Sequence, residues 1–119
     1  MNKYCLVGEI KPEYVEEYSK KHEKIHKGEY IELLDVIKRS GVKNEVVFMY
    51  KNLAIIYFEA EDLSACYKFQ EKFEIIKKWN KIMEPMFASD YGFGGDPDEL
   101  SGLKKVFDLN EQLEGKLNN

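Results

Sequence analysis

The order of elements predicts an α+β fold: a ferredoxin-like β-α-β-β-α-β sandwich. Three observations predict it. Four short segments carry strand composition, near the start, as a pair in the middle, and near the end. Helical apolar periodicity fills the two gaps between them. Lys51-Asn52, a tight turn, joins the middle pair as a hairpin. The 119 residues fit a single domain over 1–119, with 109–119 as a peripheral tail.

"KYCLVGEI" (Lys3 to Ile10) alternates and is predicted as the first strand. Pro12 suits the first turn of a helix, and Glu13, Glu16 and Glu17 favour its positive end. Tyr14, Tyr18 and His22 share one face at a spacing of four. Gly28 marks a break. "EYIELLDVIKRSG" then resumes the helix, with Ile31, Leu33, Leu34 and Ile37 as core candidates and Gly41 at its C-terminal end. "NEVVFMY" and "LAIIYFEAE" are the hairpin strands. Asp62 is a good N-cap for a helix expected from about Leu63 to Glu84, where Phe69, Phe73, Ile76, Trp79 and Met83 outline an apolar face. An irregular Gly- and Asp-rich stretch fills 88–102, and "LKKVFDL" (Leu103 to Leu109) is the expected last strand. Such a sheet carries helices on one face only. Val46, Val47, Phe48, Ile55, Ile56, Tyr57 and Phe58 supply apolar residues for both faces, so the other face needs a cover, and a second copy of the chain is the expected one.

Composition excludes several function classes. The net charge is −4 with alternating signs, which leaves no electrostatic footprint for nucleic acid. No apolar run approaches the ~20 residues of a membrane span, and the N-terminus is too polar for a signal peptide. Cys5 and Cys66 have no metal spacing and read as reduced thiols of a cytoplasmic protein.

The reactive candidates are few. His22 can exchange a proton near neutral pH, and Tyr18, one turn away, can orient it or a bound hydroxyl. The bland alternative is a solvated helix face, since Lys20, Lys21, Glu23 and Lys24 surround them. "HEKIH" (His22 to His26) has the fixed letters of a zinc-protease motif, but lacks its long apolar helix and third ligand. Trp79 offers either core packing or a stacking platform for a sugar ring, with Asn80 and Lys81 beside it to bond hydroxyls. "YGFGGDPDE" (Tyr91 to Glu99) follows a helix rather than a strand, so a phosphate cradle fails on context; an active-site loop or a plain surface loop remains.

The segments "KPEYVEEYSKKHEKI", "IKRSGVKN", "LAIIYFEAED", "KKWNKIMEPM" and "LKKVFDL" resemble, in that order, the L-rhamnose mutarotases. The resemblance runs from about residue 3 to residue 109. It implies a dimeric α/β barrel of ferredoxin-like units and no cofactor or metal. The implied activity interconverts the α and β anomers of a deoxysugar. In the family pattern His22 matches the proton donor, Tyr18 a sugar-binding tyrosine, and Trp79 the first of two sugar-contacting tryptophans. Asn80 stands where the second tryptophan would be, Glu45 where a sugar-contacting tyrosine would be, and His26 where a further tryptophan would be. The implied site is therefore His22 as the catalytic acid, with Tyr18, Glu45, Trp79 and Asn80 holding a monosaccharide. Tyr18, Glu45 or a water remain open as handlers of the second proton. A non-catalytic sugar-binding or interaction domain on the same fold is the alternative, and a cofactor-free monooxygenase a third.

Overall fold

The computed structural model describes residues 1–88 and 103–115. Strands β1 (Asn2–Glu9), β2 (Val42–Tyr50) and β3 (Leu53–Ala60) form an antiparallel sheet in the order β1-β3-β2. Helices α1 (Val15–Glu23) and α2 (Glu32–Arg39) lie between β1 and β2; α3 (Leu63–Gln70) and α4 (Glu74–Met83) follow β3; a short α5 (Leu109–Leu113) closes the described chain. Single 3₁₀ turns at Pro12–Tyr14, Ile25–Lys27 and Glu84–Met86 link them.

Strand alternation sorts the two faces of the sheet. Leu6 on β1 and Ala54, Ile56, Phe58 and Ala60 on β3 are buried. With Ile10, Tyr18, Val42, Leu63, Cys66, Met83, Met86 and Phe87 they form the main core. A smaller cluster of Leu33, Val36 and Ile76 ties α2 to α4. On the opposite face Val7 pairs with Ile55, Cys5 and Val46 flank Tyr57, and Phe48 pairs with Ile55. Phe48 and Tyr50 there are 61% and 59% exposed, so this face is apolar and open along β2, while Lys3 at its β1 side bonds Asp108 at the start of α5.

One residue breaks the alternation. Val42 sits opposite Ala60, Asn44 opposite Glu59 and Glu45 opposite Phe58, so Lys43 is an extra residue in β2. Side chains alternate along a strand, and a bulge of one residue reverses the phase beyond it. Val42 faces the helices, and so do Glu45, Val47 and Met49. Without the bulge Glu45 would face away.

Two expectations are corrected. The segment 103–109 is not a strand: 103–108 has no regular structure and Leu109 starts α5. Its apolar residues do not alternate. Val106 and Phe107 are adjacent, and they remain 81% and 63% exposed. Asp108 ends the stretch by capping α5, its Oδ1 accepting from the Glu111 amide, while its Oδ2 accepts from Lys3. The outer edge of β1 is met instead by the segment after α4, where Ile10 bridges Phe87 and the amides of Lys11 and Ala88 donate to Met86 and Glu9.

The expected continuous helix from Leu63 to Glu84 is two helices. Asp62 caps α3 as expected, accepting from the Ala65 amide. The buried stripe Leu63, Cys66, Gln70 would continue in an unbroken helix through Lys77 and Lys81. The break at Glu71–Phe73, with Phe73 extended, shifts the phase so that Ile76 and Met83 face inward and both lysines stay exposed. The break in the first helical region around Gly28 is as expected, and the Lys51-Asn52 hairpin forms with Lys51 at φ 54°. The stretch read as an active-site loop lies, from residue 89 to 102, outside the described residues.

Candidate functional site

A cavity of about 110 Å³ lies between the helix-covered face of the sheet and helices α1 to α4. One water occupies ~10–15 Å³ on this measure, so the space accommodates several waters or one compact ring. It widens at the β2 edge into a groove that shares Glu45, Val47, His22 and Trp79 with it.

Helix α1 delivers Tyr18 and His22 on its inward face. Tyr18 is only 2% exposed, wedged between His22 and Phe87, with ring centroids 4.2 Å and 5.8 Å away. The solvated-face alternative therefore does not hold for these two residues. The Tyr18 backbone carbonyl is 2.8 Å from His22 Nδ1. A carbonyl only accepts, so Nδ1 carries the proton and Nε2 is the nitrogen left to exchange one. Burial holds the imidazole below its ordinary pKa, and the carbonyl bond only partly offsets this. His22 is accordingly neutral at pH 7.

Trp79 packs its ring edge-on against His22 at 5.2 Å and against Tyr30 at 5.4 Å. It is half-buried and lines both the cavity and the groove, so it serves core packing and site wall together. Asn80 lines the cavity beside it, and Glu45 faces it from β2. His22, Tyr18, Glu45, Trp79 and Asn80 thus border one space, while Lys81 is exposed and does not line it.

His26 does not join them. Helix α1 ends at Glu23, so His26 lies on the following 3₁₀ turn, exposed. The helical register that would pair it with His22 is lost. Among the described residues no group of three His, Cys, Asp or Glu is placed to hold a metal ion.

Sequence reasoning missed Tyr67, Gln70 and Phe87, which also line the cavity. Gln70 is buried and donates to Ser40 Oγ at 3.0 Å. The signal was available: an amide on the otherwise apolar stripe Leu63, Cys66, Gln70 needs a polar reason to be there. Burial drives the phenols of Tyr18 and Tyr67 well above the usual tyrosine range, and the nearby Glu45 charge adds to it. Both therefore act as neutral hydrogen-bonding hydroxyls.

The sequence profile of the L-rhamnose mutarotase family matches residues 3–109. The chain belongs to the L-rhamnose mutarotase family. It is accordingly a sugar mutarotase, an isomerase that works without a cofactor. Among solved structures it is similar to an L-rhamnose mutarotase from Formosa agariphila, with 18% identity, a TM-score of 0.64, and coverage of 92% of this chain and 99% of that one. It is also similar to tetracenomycin F2 cyclase from Streptomyces glaucescens, a type-II polyketide cyclase, with 14% identity, a TM-score of 0.55, and coverage of 91% and 98%. At these identities the likeness concerns the fold, and it agrees with the ferredoxin-like reading. Comparison with curated protein sequences gave no match. No helix among the described residues is long and apolar enough to cross a membrane.

Proposed function

We propose that this mutarotase acts on a neutral deoxysugar such as L-rhamnose, with His22 exchanging protons at Nε2. Tyr18, Glu45, Trp79 and Asn80 hold the ring. The observation that carries the reading is the fixed, neutral imidazole inside a ring-sized cavity. Tyr18 and Trp79 provide apolar walls for the C–H face of a pyranose. Asn80 provides a donor and an acceptor for its hydroxyls, and Tyr18 a further hydroxyl.

Ring opening needs one proton removed from the anomeric hydroxyl and one delivered to the ring oxygen. The C1–O5 bond breaks, the C1–C2 bond turns, and the aldehyde closes on its other face. Positioned proton transfer typically contributes ~10²–10⁴-fold. The sequence reading casts His22 as the acid. A neutral imidazole bonded through Nδ1 instead presents a lone pair at Nε2, which favours taking the anomeric proton in the opening step and returning it on closure.

The cavity lining includes the carboxyls of Glu45 and Glu71 and no Lys or Arg. A wall without a cation leaves the charge of an anionic sugar unpaired. Anomer exchange of L-rhamnose and L-fucose, followed by saturation-transfer NMR, is therefore expected, with uronic acids and sugar phosphates exchanged at least ~10-fold more slowly. Equal acceleration of a uronate would contradict this account of the wall.

The reading extends to assembly and place. Residues 1–119 form one domain, the enzyme is cytoplasmic, and it works as a homodimer joined through the uncovered sheet face. Supporting the last point, Val7, Val46, Phe48, Tyr50, Ile55 and Tyr57 make that face apolar. An apolar interface of this type usually buries more than ~2,000 Å². Sedimentation velocity at micromolar concentration is expected to give a dimer, and Phe48→Glu to give a monomer. A wild-type monomer under those conditions would remove the sheet-to-sheet arrangement.

A further inference from the structure

His22 accounts for one of the two protons that mutarotation moves. Its Nδ1–H is committed to the Tyr18 carbonyl, so it has a single nitrogen to exchange through. A second acid–base group has to reach the other side of the C1–O5 bond. The ionisable side chains lining the cavity besides His22 are Tyr18, Glu45, Tyr67 and Glu71. The two phenols are held neutral well above their usual range and are poor proton donors near pH 7. Glu71 lies in the turn after α3, outside the strands that form the sheet side of the cavity.

Glu45 differs from all three by how it gets there. The extra residue Lys43 reverses the phase of β2 and turns Glu45 from the uncovered face of the sheet to the helix side. Bulges next to active sites commonly re-aim one side chain in this way. The position lies within a strand otherwise rich in Val, Phe and Met, and it lines the cavity from the sheet side. Among the described residues its carboxyl has no hydrogen-bond or ion-pair partner, although its backbone amide is held by Asn44 Oδ1 at 3.0 Å. A bound hydroxylated ligand would supply that partner.

We infer that Glu45 is the second catalytic group, its carboxyl giving a proton to the ring oxygen as His22 Nε2 takes the proton of the anomeric hydroxyl. The inference rests on the mutarotase reading above. In the opening step the O1–H proton goes to Nε2, the C1=O1 bond forms, the C1–O5 bond breaks, and O5 receives the Glu45 proton. The site then holds an imidazolium and a carboxylate around an open-chain aldehyde. After rotation about C1–C2, O5 attacks the other face of C1 and returns its proton to Glu45, while His22 returns its proton to O1. No proton is gained or lost over the cycle.

The surroundings favour this distribution. Glu45 is exposed to solvent as a residue, on its side toward the groove, while the protein around its carboxyl removes enough hydration to push its pKa up to about 7. Burial pushes His22 the other way. Two groups sharing one proton place it on the member with the higher pKa, which here is Glu45. Facing Glu45 across the cavity are Tyr18 and His22 from α1, Tyr67 from α3 and Glu71 beyond it. At the groove stand Glu23, His26, Lys38 and Lys43, and the Lys38 ammonium is already bonded to the Lys43 carbonyl.

The working form needs His22 neutral and Glu45 protonated. Activity should therefore rise with pH through the lowered His22 pKa and fall as pH passes about 7, where Glu45 loses its proton. The test is saturation-transfer NMR of L-rhamnose anomer exchange from pH 5 to 9, with wild type, Glu45→Gln and Glu45→Asp. Binding is followed in parallel through Trp79 fluorescence. Glu45→Gln is expected to lose at least ~10²-fold in exchange rate while still binding sugar. Glu45→Asp is expected to keep a measurable rate and the alkaline fall. Exchange by Glu45→Gln within threefold of wild type overturns the assignment, as does a wild-type rate that does not fall between pH 6 and 9. A wild type that exchanges no sugar while Trp79 still reports binding overturns the mutarotase reading itself, and the assignment with it.

Discussion

Replacing His22 by alanine is expected to cut catalysed anomer exchange by about 10²–10⁴-fold, the usual contribution of a positioned proton-transfer group. The reason is geometric. Tyr18 and Trp79 fix the ring from two sides, and the Tyr18 carbonyl fixes its tautomer, so one nitrogen is presented to the cavity in one orientation. A water replacing the ring would lack that orientation. His26→Ala is the matched control, because His26 is exposed on the turn beyond α1. It is expected to retain most of the activity. Thermal unfolding of both variants separates chemistry from folding: His22→Ala should remain folded at the assay temperature. If the folded His22→Ala protein exchanges sugar at the wild-type rate, His22 is not the proton-transfer group.

The largest stability effect is expected from Leu63→Ala. Leu63 opens α3 immediately after the Asp62 cap and is fully buried against the helix-side face of the sheet. Removing a buried leucine side chain costs its transfer free energy and leaves a cavity, together about 2–5 kcal/mol. For a domain of this size that is a large part of total stability. Urea unfolding of the variant should show a lower midpoint with an unchanged slope, since the surface exposed on unfolding stays the same. A cost below about 1 kcal/mol would show that the α3–sheet contact is not the packed core described above.

The elements legible in the sequence were those with a local physical cause. Asp62 announces α3 because its carboxyl satisfies an otherwise orphaned amide, and Pro12 announces the turn that leads into α1 for a similar reason. The Lys51-Asn52 hairpin and the split helix around Gly28 were equally readable. The break between α3 and α4 was harder. Its cause is that Lys77 and Lys81 fall on the line of the buried stripe, which becomes visible only when the stripe is followed through both helices. The tail misled because Val106 and Phe107 have strand composition without strand alternation, and composition alone does not supply a face to bury.

The site divides in the same way. Tyr18 and His22 follow from a spacing of four on one helix, which any reader of the sequence can draw. The inward turn of Glu45 depends on the bulge at Lys43, and a bulge is set by pairing with β3 rather than by the residues of β2 themselves. Tyr67 and Phe87 reach the cavity only after β3, α3 and α4 have packed, so tertiary contact places them. Cysteine reading contributed little to the site: Cys66 is a small buried member of the core.

The most direct measurement is the exchange of magnetisation between the α and β anomeric protons of L-rhamnose at pH 6.5, with wild type and His22→Ala compared at equal concentration. The account predicts rapid exchange with wild type, and with the variant a rate near that of the sugar alone. Wild-type exchange no faster than the sugar alone, for L-rhamnose and L-fucose both, would contradict it.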